Sequence, residues 1–340
     1  MSSTQEPTAG QRRRWVLGLL GLAISILFIT LLVRQVDAAR VLDELKRVAL
    51  GRLSLGLLTM LGAMWVMSLR SGVLLTPLHR FGQGRLFKAI LVVLGGNNVL
   101  PMRIGELLRV AYLARHGSLS YSSCLAVVGI ERLLDLGVIA LMFFALLPVA
   151  VVPLPRTAVL AGVALGAALG LGALVALARW PARFVAACRA VARMAGRRVS
   201  SWVGTAVQRF ADGLSSLRSA GRIVAAFLLT LGYWVFQLAT MRVFLWAFDL
   251  SLPWYAPGVL LVFIVFGVAL PSSPAYVGTY HYFAQRALTL MGVEVNAATS
   301  VSIISHAAAV IPVTLLAAVL LFGELWRGEL TARMEEPREL

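Results

Sequence analysis

The chain is short of what soluble domains are built from. Charged residues make up 14% of its 340 residues, and only 15 are acidic, well under the roughly one-quarter charged content of an ordinary globular domain. Cysteine is almost missing. Cys124 lies in an apolar run and Cys188 in an arginine-rich segment, which excludes a disulfide framework or a cysteine-based metal centre and leaves both as packing residues. No GxxxxGKS/T, HExxH, CxxC or GxSxG pattern occurs, so the common phosphate-loop, zinc-protease, dithiol and nucleophile-elbow chemistries are not indicated. The expectation is a protein with no cofactor and no metal ion. Short alternating segments of the kind that build a transmembrane barrel are also lacking.

What is present is apolar. Hydrophobic residues are 59% of the chain, arranged in runs long enough for helices of about 20 residues to cross a hydrocarbon core of roughly 30 Å. The reading is an all-α polytopic membrane protein, one membrane domain over residues 1–340. Spans are expected at 15–33, 53–76, 121–148, 156–178, 222–248 and 296–322. The first follows Arg12, Arg13 and Arg14 but is too long for a cleaved signal segment, so it is taken as a retained span.

Two apolar pieces, 86–100 and 256–270, are too short to span. Each ends at a proline-containing break followed by a more polar helical stretch, Pro101-Met-Arg-Ile-Gly105 in one and Pro274-Ala-Tyr-Val-Gly278 in the other. Each reads as half of a re-entrant hairpin, because irregular backbone at membrane depth is tolerated only where it is buried in protein or lines a cavity. The plain alternative is a loop at the membrane surface. Gly117 precedes Glu131 by fourteen residues and Gly292 precedes His306 by fourteen, so the spacing repeats. The expected cores of two structural repeats are 86–148 and 256–322.

Lysine and arginine near span ends favour the cytoplasm. Placing both termini inside puts Arg12 to Arg14, Arg80, Arg85, Lys88, the nine arginines of 179–222, Arg327, Arg333 and Arg338 there, against an external 34–52 loop that is itself partly basic. The two broken hairpins then enter from opposite leaflets, as in an inverted repeat. The location expected is the inner (cytoplasmic) membrane.

Glu131 and His306 each fall about ten residues into their helices, roughly 15 Å deep. Glu131 and Asp135 share a face, and Arg132 and Asp135 are i, i+3 neighbours. Charges at that depth are costly and point to a lined pathway, or else to an ion-pair network that only holds helices together. At the first break Asn97 and Asn98 are placed to bond freed backbone, Arg103 and Arg109 to grip an anionic group such as phosphate at a helix N-terminus, and Glu106 to orient them or meet a cationic group. Glu106 with Arg109 as an ordinary i, i+3 pair is the simpler alternative. Ser272, Ser273, Tyr280, His281 and Arg286 form the counterpart at the second break. His281 and His306 are candidate proton carriers, with an interhelical hydrogen bond as the plainer role of His306.

Residues 179–222 hold nine arginines and one acid, Asp212, interleaved with Phe184, Val185, Trp202, Val203 and Phe210. That pattern suits amphipathic helices on an anionic membrane surface, with a solvated linker as the alternative. The net charge of +16 is thus membrane-facing, and no nucleic-acid motif accompanies it.

The stretch GGNNVLPMRIGELLRVAYLARHGSLS, then GIERLLDL and the late LPSSPAYVG, resembles the lysylphosphatidylglycerol synthase transmembrane-region family, which includes the flippase part of the multiple peptide resistance factor. The matching positions are Asn98, Leu100, Pro101, Arg103, Gly105, Glu106 and Arg109, with Glu131, Arg132 and Asp135. Where the family commonly shows L-P-G-G-x-G, this chain has LPSSPAYVG. No appended soluble aminoacyl-transferase domain is seen, so the synthase part of the name is not carried over. The resemblance implies a flippase-like fold whose re-entrant helices meet at mid-bilayer. The functional expectation is a transporter moving a lipid with a polar, anionic headgroup between leaflets, and not an enzyme. A membrane-embedded transferase using a polyprenyl-phosphate-linked donor and a scaffold for a lipid-modifying complex are the alternatives. The expected partners are the lipid headgroup and the anionic membrane surface, with a homo-oligomer left open.

Overall fold

The computed structural model describes residues 22–100, 104–146, 165, 179–270 and 272–326. The expected span 156–178, apart from residue 165, lies outside them, as do the start of the first span and the residues 101–103 that hold Pro101 and Arg103. Among the described residues there are helices and turns and no strand.

The apolar runs become α1 (Leu22–Val33), α3 (Leu50–Leu75), α6 (Tyr121–Leu146), α9 (Ala220–Ala247) and α12 (Val295–Trp326). By length and composition α3, α9 and the Val295–Leu320 part of α12 qualify as membrane-crossing helices. Helix α6 matches α3 in length at 26 residues but carries Glu131, Arg132 and Asp135 in its interior. The short pieces become α4 (Gln83–Val99) and α10 (Ala256–Ala269), followed after each break by α5 (Gly105–Gly117) and α11 (Thr279–Leu290).

Residues 34–52, expected as an external loop, contain α2 (Ala38–Lys46), bent by 86° from α1. Asp37 caps it by accepting from the Ala39 and Arg40 N–H groups, the local competition that favours Asp at a helix start. Asn296 accepts the Asp37 N–H, and Ser300 donates to the Val41 carbonyl. Both bonds hold α2 across the first turns of α12.

The arginine-rich segment forms α7 (Pro181–Ala192) and α8 (Arg197–Gly213). Helix α8 lies against the start of α6, where Ser123 donates to the Arg209 carbonyl and Gly213 meets the Ser123 backbone.

The helix order long, short, break, short, long occurs twice, as α3–α6 and as α9–α12. The contacts repeat with it. Helix α4 packs on α12 as α10 packs on α6, and the two leading long helices, α3 and α9, pack on each other. Helices α3 and α9 run antiparallel: the Ala49 N–H reaches the Ala247 carbonyl, Gly56 lies on Phe244, Thr59 on Thr240, Gly62 on Phe236, and Arg70 on Thr230. Glycines at 56 and 62 let the aromatic rings press onto the α3 backbone, the close approach that small residues permit between membrane helices.

Candidate functional site

The first hairpin opens at the end of the bundle where α3 finishes and α8 lies, and its tip points inward. Helix α4 stops at Leu100, which turns extended with its N–H on the Gly96 carbonyl. The Asn97 side chain then accepts the Gly105 N–H at 3.0 Å, supplying one of the partners that a helix start lacks. Asn98 donates to Thr314 Oγ1 at 2.9 Å and reaches the Val310 carbonyl at 3.4 Å, which fixes the tip on α12. A Cβ on Gly105 would lie 2.2 Å from the Val93 carbonyl oxygen, so α4 and α5 cross this closely only because glycine stands there.

Beside this tip sits a network of ion pairs. Arg109 of α5 and Glu131 of α6 form a two-pronged pair, Nη1 to Oε2 at 2.5 Å and Nη2 to Oε1 at 2.9 Å. Ser71 of α3 accepts from Arg109 and donates to Glu131, both at 2.6 Å. One helical step away Arg70 grips Asp135 through Nη1 at 2.6 Å and Nη2 at 3.2 Å, with Thr230 of α9 as a further acceptor at 3.2 Å. The side chains of Arg70, Arg109 and Glu131 are 0% exposed, where only doubly bonded, geometrically matched pairing offsets the loss of water. Glu131 and Asp135 share the inner face of α6, whereas Arg132 turns to its edge. There it pairs with Glu106 of α5 and lies 3.6 Å from Asp135. These side chains tie α3, α5, α6 and α9 together.

The second hairpin opens at the opposite end, between the residues after α9 and those before α12. Its tip is a short 3₁₀ turn, Pro274–Tyr276, with Ala275 at φ 55° and Tyr276 at φ 60°, a region costly for residues with a Cβ. Gly278, at φ 91°, packs on the Ser25 backbone, and the Ser273 N–H donates to Ser25 Oγ at 2.8 Å. The Ser273 hydroxyl bonds the Val277 carbonyl. His306 Nε2 lies 2.6 Å from the Ala275 carbonyl, the tautomer with a proton on that nitrogen, so α12 holds the strained turn. Tyr280 donates to Ser305, and the Tyr280 and His281 rings each stand 4.6 Å from that of His306. His281 Nδ1 is buried without a hydrogen-bond partner. Ser272 is half-buried near the tip and Arg286 is exposed, apart from this group.

Between the two tips, where α3 crosses α9, is a cavity of about 230 Å³. Met60, Met64 and Met241 supply much of its wall, Asn98 comes from the first tip, and Tyr280 and His306 flank the second. Among the described residues its lining carries no Asp, Glu, Lys or Arg. The charged candidates Glu106, Arg109, Glu131, Arg132 and Asp135 thus gather beside the cavity rather than in it. Tyr233 stands between: it lines the cavity, accepts from Gln237 and presents its ring 5.9 Å from the Arg70 guanidinium. Arg103 lies outside the described residues.

The sequence reading passed over Arg70, Ser71, Thr230 and Tyr233. Arg70 carried a usable signal, as the one charge between Leu53 and Leu75; an isolated ionisable residue inside a span calls for a buried partner. Nothing marked the other three among many similar residues.

The fold and the charged core define an all-α, multi-pass membrane protein with two broken hairpins meeting inside the bundle. A family model described as the lysylphosphatidylglycerol synthase TM region matches residues 18–317, and the chain belongs to that family. No curated protein and no solved structure matches it.

Proposed function

We propose that this protein is a flippase-like lipid transporter of the inner membrane, carrying a phosphate-bearing headgroup between leaflets while the tails stay in the bilayer. The observation that carries the reading is the pair of hairpins with open ends at opposite ends of the bundle, whose polar tips flank one cavity beside a charged network. Broken helices meeting at mid-depth are how transporters built from repeats form a site. The antiparallel crossing of α3 and α9, the leading helices of two like-ordered units, supports an inverted repeat, since a two-fold relation between antiparallel equivalents has its axis across them. Arg132 would meet the phosphate, with Glu106 as its orienting acid. His281 and His306, edge to face at the second tip, are the groups by which proton binding would couple to movement. The basic α7–α8 segment lies at the end where α3 and α5 finish; by charge that end is cytoplasmic, and its arginines face anionic lipid.

The test is reconstitution. Liposomes containing the protein and a tail-labelled phospholipid should lose the protected inner-leaflet signal to an impermeant reductant faster than empty liposomes. Arg132→Ala should reduce that rate with insertion intact; no difference between protein-containing and empty liposomes refutes the reading. Incubation with a labelled polyprenyl-phosphate sugar separates the transferase alternative, because only an enzyme yields a new covalent product.

A further inference from the structure

We propose that the cavity between the two tips is a binding site for a soft monovalent metal ion, Cu(I), held by the thioethers of Met60, Met64 and Met241 and by Nδ1 of His306. The site goes beyond the lipid-moving reading and does not depend on it. Its first ground is the gathering of sulfur. Four of the 10 methionines in the chain line this one cavity. Met60, Met64 and Met67 come from one face of α3, at i, i+4 and i+7. Met241 comes from α9, where the residues just before Met60 and Met241, Thr59 and Thr240, have hydroxyls 2.9 Å apart. A sphere of the cavity's volume of about 230 Å³ is roughly 8 Å across, so thioethers on facing walls reach one ion, and three rotatable bonds let each sulfur turn toward it. Met67, about 10 Å along α3 from Met60, is left to the wall.

The second ground is the state of the imidazole. His306 lines the cavity, and its Nε2 donates to the Ala275 carbonyl at 2.6 Å. That bond fixes the tautomer and leaves Nδ1 with a lone pair, which has no hydrogen-bond partner among the described residues. Histidines that ligate metals are held the same way, one ring N–H spent on a backbone carbonyl or carboxylate and the other nitrogen given to the metal. The ring is also packed against those of Tyr280 and His281, 4.6 Å from each, so little freedom is lost when an ion binds it.

The third ground is which ions this donor set turns away. Among the described residues the lining has no carboxylate, and no three His, Cys, Asp or Glu side chains are grouped to hold a metal. Calcium and magnesium want oxygen ligands and zinc wants thiolates or several imidazoles. Neutral thioethers with one imidazole select Cu(I), and a single positive charge is the smallest ionic load to place inside the bilayer. The sequence expectation of no metal ion counts cysteines and acids; thioethers escape both counts until α3 and α9 bring them to one cavity. Because His306 also holds the second tip, an occupied site ties that tip to the α3–α9 pair.

The experiment titrates the purified full-length protein in detergent with Cu(I), kept reduced by ascorbate, against the chromogenic chelator bicinchoninate. The wild type should withdraw one equivalent per chain from the chelator. Met64→Leu and Met241→Leu, near-isosteric changes that a core tolerates, should each weaken binding by about tenfold or more. Met194→Leu, at a position 91% exposed in the basic segment, should not. X-ray absorption at the copper edge, recorded on the Cys124→Ala/Cys188→Ala protein so that methionine is the only sulfur, should show sulfur and nitrogen neighbours. Four results each overturn the inference: no tight equivalent in the wild type, undiminished binding in Met60→Leu/Met64→Leu/Met241→Leu, an oxygen shell around the copper, or loss of the equivalent with the two cysteines, which marks adventitious thiol capture. If a methionine variant fails to fold, the absorption spectrum decides alone. No lipid exchange is measured, so the lipid-moving reading stands or falls separately.

Discussion

Replacing Glu131 by leucine removes the main acceptor for Arg109, whose side chain is fully buried. Arg109 donates twice to Glu131 and once to Ser71, so the substitution strands the guanidinium, while the Ser71 hydroxyl keeps the Met67 carbonyl as an acceptor. Removal of one partner of a buried pair costs about 3–5 kcal/mol, and hydrogen bonds between membrane helices average nearer 0.6 kcal/mol, so the expected cost lies between about 0.6 and 5 kcal/mol. Arg109→Met should cost less. Glu131 would retain the Ser71 hydroxyl and the field of Arg70, which already acts on it. The double variant Arg109→Met/Glu131→Leu strands nothing and should recover to within about 1–2 kcal/mol of wild type, since apolar replacement of a whole buried pair is often near neutral. Reversible unfolding in mixed micelles, run as a double-mutant cycle, reads the coupling directly. If the double variant is as unstable as the sum of the singles, the pair is not the unit described here and the network does not hold α5 to α6.

Four further outcomes follow. With Cys124 and Cys188 replaced by alanine, cysteines at Thr59 and Thr240, whose hydroxyls lie 2.9 Å apart, should form an intramolecular disulfide on mild oxidation; failure would remove the antiparallel α3–α9 register. In intact cells an impermeant maleimide should label a cysteine at Trp254, 78% exposed, and not one at Gly82, and the reverse pattern would invert the orientation. Gly105→Ala should destabilise by about 1–3 kcal/mol through overpacking, whereas Gly84→Ala, with nothing within 4 Å of the added carbon, should be neutral in the same unfolding assay. Ala275→Gly relieves the positive φ of the second tip and should stabilise by about 1 kcal/mol; a loss of stability would show that the Ala275 methyl packs more than its backbone strains.

The sequence carried the long helices because an apolar run of 20 or more residues has one physical solution in a bilayer. It carried the hairpins because a proline at the end of a short run cannot continue a helix: α4 ends at Val99 and α10 at Ala269, against breaks expected after 100 and 270. Helix α2 was legible in retrospect, from Asp37 as a cap before an amphipathic stretch, and was hidden by reading the charges of 34–52 as loop. The pairing of Arg70 with Asp135 was not legible. Spacing along one helix fixes which side chains share a face, not which face of another helix, 65 residues away in the chain, will meet it. For the same reason the cavity's uncharged lining escaped notice: it is set by how α3 rotates against α9, placing methionines inward and Arg70 to the side.

That rotation separates two jobs that the charged residues seemed to share. A charge held by two bonds to one carboxylate and sealed from lipid cannot release that partner without leaving its counter-ion bare, so Arg70 with Asp135 and Arg109 with Glu131 act as fixed joints between α3, α5, α6 and α9. What can exchange must be partly open, must stand next to a second acceptor that steadies it, and must border lipid. Within the described network Arg132 meets all three conditions, with Glu106 and Asp135 as its two acceptors.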